Sequence, residues 1–222
     1  YKLDDFNKSG NSYTLKSNVP FYTSEANTQP GMPKYRDLNG DGVINTNDCT
    51  FIGNGLPTHT GGFTNNFNYR DFDFSFFFQW SYGNDVLNAN RLMFESSWNR
   101  TRELNQFASY ADRWTIDNPT SNIPRATSSS SNRVFSSRII EDGSFLRLKT
   151  LTLGYTIPRK AISRVGIDQL RIYFAAQNLF TISNYSGYDP EVSIRESALT
   201  PGLDFSAYPR ARSFSFGINL GF

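Results

Sequence analysis

Residues 212–222 read RSFSFGINLGF, and this alternation decides how the rest of the chain is read. Phe214, Phe216, Ile218, Leu220 and Phe222 share one face of an extended strand, while Ser213, Ser215, Gly217, Asn219 and Gly221 share the other. One face suits hydrocarbon and the other is small and polar, as the lumen side of a membrane β-barrel requires. The apolar run approaches the roughly 9–11 residues that cross a bilayer as a strand. An alternating strand that closes on an aromatic residue also has the form of an outer-membrane assembly signal, carried here by Phe214, Phe216, Ile218, Leu220 and Phe222. The same pattern suits a half-buried strand of a soluble sandwich, so this stretch alone leaves both open.

A second strand separates them. In residues 72–82, Phe72, Phe74, Phe76, Phe78, Trp80 and Tyr82 fall on one face, and Asp73, Ser75, Gln79 and Ser81 on the other, with Phe77 alone out of phase. A sandwich core about 10 Å thick must interdigitate with a partner sheet and rarely accepts so many aromatics on one strand face. A bilayer accepts them, and aromatics at both ends of the strand fit two interfacial girdles.

Composition agrees. Only 38% of the 222 residues are hydrophobic yet 16% are aromatic, as expected when each strand spends apolar residues on one face only. No apolar run of about 18 residues offers a helical span, and no secretory leader is visible, which is expected of a C-terminal part of a longer chain. The net charge of +2, with acids and bases interspersed, points to no nucleic-acid surface. Cys49 and His59 are each the single residue of their type, so neither a disulfide nor a zinc site is expected. No catalytic residues are expected: Asp189 and Glu191 lie two apart in a proline-containing loop beside no nucleophile or base, and read as solvated loop acids.

Further strands are expected at about 61–69, 144–157 and 169–182, with the last at 209–222. Residues 1–36 read as a long loop. Within 144–157, Leu151, Leu153, Tyr155 and Ile157 share a face, whereas Leu146 and Leu148 have the opposite parity; either a bulge lies near Lys149 or the outer strand projects past the membrane. The connections then alternate long, short, long, short, long. Barrels of the outer membrane keep short turns inside and long loops outside, so residues 1–57, 83–142 and 184–208 are expected outside. A short helix is expected somewhere in 87–107. Five strands are too few to close a barrel.

The first long segment contains Asp37-Leu38-Asn39-Gly40-Asp41-Gly42-Val43-Ile44-Asn45-Thr46-Asn47-Asp48. The spacing matches a calcium loop, with Asp37, Asn39, Asp41, the Val43 carbonyl, Asn45 and Asp48 as candidate Ca²⁺ ligands and Gly42 at the sharp turn. The flanks are not those of an EF-hand helix pair, and a metal-free set of Asx turns is the alternative. Trp98, Tyr110, Trp114, Tyr185 and Tyr188, all in long outer loops, are candidates for contact with substrate or a covering lid.

Taken together, these residues resemble the C-terminal end of SusC/RagA-type TonB-dependent outer-membrane transporters. The resemblance rests on ordered blocks: Lys34 to Gly42, Ile52-Gly53 through Gly61-Gly62-Phe63, Tyr69 to Asp73, Asp142 to Lys149 with Leu153-Gly154-Tyr155, Gln177 to Phe180, Tyr185 to Glu191, and the terminal strand. It implies an all-β fold in which these are the last five antiparallel strands of a transmembrane barrel of about 22 strands. It further implies import of oligosaccharides or peptides, energy from TonB, a SusD-like surface lipoprotein as partner, the barrel assembly machinery and outer-membrane lipid. The alternative is an extracellular, calcium-stabilised, β-rich binding module; a secreted glycan-cleaving enzyme is the least supported class.

Overall fold

The structure, a computed structural model, describes residues 1–25, 28–96, 104–127, 134–163, 166–191, 193–194 and 201–222. Its strands are β1 (Phe6–Ser9), β2 (Ser12–Leu15), β3 (Phe21–Tyr22), β4 (Val43–Ile44), β5 (His59–Tyr69), β6 (Phe72–Tyr82), β7 (Asp85–Asn88), β8 (Ile140–Asp142), β9 (Phe145–Ile157), β10 (Gln169–Ser183), β11 (Leu203–Asp204) and β12 (Ser213–Gly221). Among the described residues two short α-helices accompany them, α1 (Ala89–Phe94), within the stretch where one is expected, and α2 (Arg159–Ile162). No described helix is long and apolar enough to cross a membrane. The chain divides into two compact units, residues 1–53 with 88–140 and residues 54–87 with 141–222.

The second unit is built on a five-stranded sheet in the order β12-β10-β9-β6-β5, antiparallel throughout. Register carries the alternation across the sheet. Phe72, Phe74 and Phe76 lie opposite Tyr155, Leu153 and Leu151; these lie opposite Ile172, Phe174 and Ala176; and these lie opposite Ile218, Phe216 and Phe214. The rings form cross-strand pairs, with Phe72 and Tyr155 4.5 Å apart and Phe174 and Phe216 5.0 Å apart between centroids. Such pairs stabilise a sheet by roughly 0.2–1 kcal/mol each, yet Phe216 remains 82% exposed and Phe222 86%. This broad apolar face has no protein cover in the described chain, as expected of a face made for lipid.

The parity break in β9 is a bulge. Phe77 lies opposite Thr150 and Phe78 opposite Leu148, leaving Lys149 as the extra residue. On the other side Gln177 opposes Thr150 and Phe180 opposes Leu148, so Asn178 and Leu179 of β10 stand against the single Lys149, with Asn178 at φ +50°. The insertion returns Leu146 and Leu148 to the apolar face beside Trp80, Phe78, Phe180 and Ile182. Of the two sequence readings the bulge is correct.

The short β5–β6 turn, at Arg70 and Asp71, and the β9–β10 connection through α2 lie at one end of the sheet. Gly221 pairs with Gln169 at that same end, and Asp168 N–H donates to Gly221 O at 2.8 Å. The long connections therefore leave from the opposite end, as the count of strands requires. β12 begins at Ser213 rather than at 209, because the preceding residues are engaged elsewhere: Arg210 N–H donates to Asp189 and Asn178 Nδ2 donates to Ala211 O.

In the first unit, residues 1–36 are not the featureless loop expected. β1 and β2 form a hairpin across Gly10 at φ +59° and Asn11, and β3 pairs in parallel with β4. Tyr1, Phe6 and Met32 form a small core flanked by Tyr13, Leu15 and Val19. A buried Glu95 accepts from Arg91 at 3.2 Å, from Arg138, and from Ser109 at 3.0 Å, tying α1 to distant parts of the same unit.

Candidate functional site

The polar face of the sheet holds the chemistry. Near its short-turn end Asp73 of β6 and Arg171 of β10 join across β9, with Nε to Oδ1 at 2.9 Å and Nη2 to Oδ2 at 2.6 Å. They meet over Gly154, where a Cβ would fall 2.4 Å from atoms of both. The Arg171 guanidinium stands 5.1 Å from the Tyr173 ring centroid, and Tyr173 lies flat over Gly217, whose missing Cβ would meet that ring at 2.2 Å.

Toward the long-loop end, Arg147 of β9 is 2% exposed. Its Nε donates to Thr181 Oγ1 at 2.9 Å, its Nη1 to Glu191 Oε2 at 2.9 Å, and its Nη2 to Asp189 Oδ1. The bulged Lys149 donates to Gln79 Oε1 at 2.7 Å and Glu191 Oε1 at 3.1 Å, and Arg210 reaches Glu191 Oε2 at 3.0 Å. Burial alone would raise the Asp189 carboxyl, but Arg147 and the N–H groups of Glu191 and Arg210 hold it below the ordinary carboxylate range. Asp189 and Glu191 are therefore not the solvated loop acids expected from sequence. A buried arginine needs several acceptors to offset its lost hydration, and the acids that meet it come from a loop some forty residues on. The network pins that loop to the wall.

The same loop is fixed a second time where Tyr185 OH donates to Asp204 Oδ2 at 2.6 Å, both residues buried. Burial first, then the neighbouring carboxylate, pushes the Tyr185 phenol well above its ordinary value. Beside the Arg147 network lies a cavity of about 820 Å³ bordered by Gln79, Phe145, Glu191, Tyr208 and Arg210, placing hydrogen-bonding and aromatic groups at the long-loop end of the wall.

The structure does not gather the five aromatic candidates. Tyr110 and Tyr185 are buried, Tyr188 is 83% exposed, Trp114 lines a cavity in the first unit, and Trp98 lies outside the described residues. Sequence reasoning does not single out Arg147, Lys149 or Arg210 as site residues; two cations two positions apart, Arg147 and Lys149, in a strand otherwise made for lipid and lumen are the available signal.

In the candidate calcium loop, Asp37 accepts from Gly40 N–H at 2.6 Å and Gly42 N–H at 2.9 Å, and Asp41 accepts from Val43 N–H at 2.8 Å. Asp48 closes the loop through Leu38 and Asn45 N–H, both at 2.8 Å, which hold its carboxyl below the ordinary range. Gly42, at φ +83°, makes the sharp turn. Two side-chain amides sit where a cation's oxygens belong: Asn39 Nδ2 on Asp41 Oδ2 at 3.0 Å and Asn45 Nδ2 on Val43 O at 3.1 Å. Among the described residues no three His, Cys, Asp or Glu side chains converge as a metal would need. The donor set fits Ca²⁺ only if both amides turn.

No family model matches the chain. In sequence it is 35% identical over 205 residues to TonB-dependent receptor P3 of Formosa agariphila, covering 90% of this chain and 20% of the receptor. It is 30% identical over 200 residues to TonB-dependent receptor SusC of Bacteroides thetaiotaomicron, covering 89% and 18%. The backbone matches the RagAB peptide transporter at a TM-score of 0.66 and 26% identity, covering 81% of this chain and 19% of that one. It matches the RagAB peptide importer in its "closed-closed" state at 0.67 and 25%, covering 86% and 21%. The chain thus spans about a fifth of the length of the curated relatives it matches. Sequence and backbone agree: the chain belongs to the SusC/RagA family of TonB-dependent outer-membrane receptors, and its five-stranded sheet is a segment of their transmembrane β-barrel.

Proposed function

We propose that this chain supplies part of the wall and outer loops of an importer that carries oligosaccharides or peptides across the outer membrane, energised by TonB and working with a SusD-like surface lipoprotein. The observation that carries the reading is the polar wall at the long-loop end: Arg147 anchors a loop beside a cavity of mixed hydrogen-bonding and aromatic character, the lining expected where a polar solute is held during passage. Its relatives are named for TonB dependence, and a structural neighbour for peptide import. Tyr188 and Trp114 remain the candidates for contact with solute or lid. The terminal strand, Phe214 to Phe222, is proposed as the signal read by the barrel assembly machinery, and residues 37–48 as a Ca²⁺ site that stiffens an outer loop.

Deleting the gene in its host and following depletion of a defined mixture of oligosaccharides and peptides from the medium tests this. Loss of uptake of one class, reproduced by discharging the proton gradient, is expected. Depletion at the parental rate for every component overturns the reading.

A further inference from the structure

One cavity in the first unit, of about 560 Å³, is lined by charge of a single sign. Arg113 and Arg125 border it together with Trp114, Asn11, Gln29 and Thr115, and its lining among the described residues holds no carboxylate. Its frame is specific. The Trp114 ring lies against Gly31, where a Cβ would fall 2.3 Å from the indole and where φ is +82°, so only glycine fits. Arg125 N–H donates to Gly31 O at 2.9 Å and its Nη1 to Pro30 O at 3.1 Å, which sets its guanidinium 5.8 Å from the Trp114 ring centroid. Arg113 stands 5.3 Å from the Tyr110 ring centroid and makes no ion pair among the described residues. The Trp114 indole N–H is buried without an acceptor among those residues.

A cation without a counter-charge among the described residues and a second cation beside it call for an oxyanion. The rest of the lining combines apolar and aromatic groups, the Trp114 indole among them, with amide and hydroxyl side chains, which matches a sugar ring, whose C–H faces lie on aromatic rings and whose hydroxyls need neutral partners. We infer that this cavity binds an acidic saccharide, a sugar ring bearing a carboxylate or sulfate. The inference rests on the importer reading for the ligand's origin as an incoming solute.

The test uses the full receptor purified from its host and isothermal calorimetry with four probes: tetragalacturonate, its methyl ester, a sulfated tetrasaccharide, and tetraglutamate. Binding of the carboxylated or the sulfated saccharide, weakening with added salt and reduced about 10-fold by Arg113→Gln, is expected, and the stronger of the two identifies the oxyanion. Arg113→Lys keeps the charge and retains most affinity even where the glutamine variant folds poorly, while Trp114→Phe keeps a ring and loses a few-fold. Equal binding of the methyl ester, undiminished binding by both Arg113→Gln and Trp114→Phe, binding of tetraglutamate alone, or no binding of any probe overturns the inference. Uptake by living cells with no acidic saccharide bound overturns this inference and leaves the importer reading standing; binding by a receptor whose deletion leaves uptake unchanged does the reverse.

Discussion

Asp73 and Arg171, two strands apart in the sheet, are joined by a bidentate ion pair that passes over Gly154 of the strand between them. Both side chains are partly exposed, so the pair is worth about 0.2–1 kcal/mol rather than the larger sum of a buried one. Asp73→Asn and Arg171→Gln should each lower stability by about that amount and, made together, by little more than either alone. Gly154→Val should lower it further, because its side chain displaces the pair. The urea midpoint of the heat-modifiable folded band on gels measures all of these; full additivity of the double variant would show that the pair contributes nothing.

Arg147 and Asp189 form a tighter bond, and its loss should be felt in the loop. Asp189→Asn makes one of the two carboxylates that face Arg147 neutral while Glu191 stays in place, at a cost of about 1.5–3 kcal/mol to that anchorage. Hydrogen exchange in residues 184–191 should rise while exchange in β12 stays slow. The pH dependence has a defined sign. The Asp189 carboxyl is held below its ordinary value of 3.8, so its contribution is fully present above that value and is lost only as pH falls through the lower, folded-state value. Loop protection should therefore be flat across neutral and mildly acidic pH and fall below about 3.8 in the native protein only.

Tyr185→Phe removes one hydrogen bond to a buried carboxylate, whose second oxygen already lacks a partner among the described residues. A loss of about 1.5–3 kcal/mol is expected. Asp204→Asn with Tyr185 intact should cost less, since no charge is then left buried. Equal midpoints for the two variants would contradict this account.

The two faces of β12 should answer the same substitution oppositely. Phe216→Arg puts a cation on the lipid face and should cost about 2–4 kcal/mol if it lies near the bilayer midplane, whereas Ser215→Arg, one residue away on the polar face, should leave the folded band nearly unchanged. Tolerance of both would argue that the apolar face is covered by protein.

For the loop at 37–48, calorimetry of the folded receptor should show Ca²⁺ binding in the range of roughly 10⁻⁴–10⁻³ M expected of extracellular sites, abolished by Asp41→Ala. Replacing Asn39 and Asn45 by Asp removes the two amide donors that occupy cation positions and should tighten binding. No heat at millimolar Ca²⁺ in either protein would leave the loop a set of Asx turns.

What was legible in the sequence was local. The alternation of Phe72 to Tyr82 and Phe214 to Phe222 is written into neighbouring residues, so strands, faces and the sidedness of the loops follow from it. The parity slip between Leu148 and Leu151 was visible as well, but choosing a bulge required Phe78 and Phe180, whose strands align only in space. The Gly10-Asn11 turn of the first hairpin is readable, but β1 and β2, at four residues each, are too short to show a sustained period. Arg147 and Asp189 lie 42 positions apart, and nothing periodic links them. Residue type and loop location make Tyr110 and Tyr185 candidates; burial, which removes them from the surface, is not written in either.

Tyr173 over Gly217 and the Asp73–Arg171 pair over Gly154 have one further consequence. At both places a long side chain lies down along the wall because the neighbouring strand has no side chain of its own there. The wall is thereby kept in low relief, and width that projecting groups would take from the bore is left as clearance for whatever passes or sits within it.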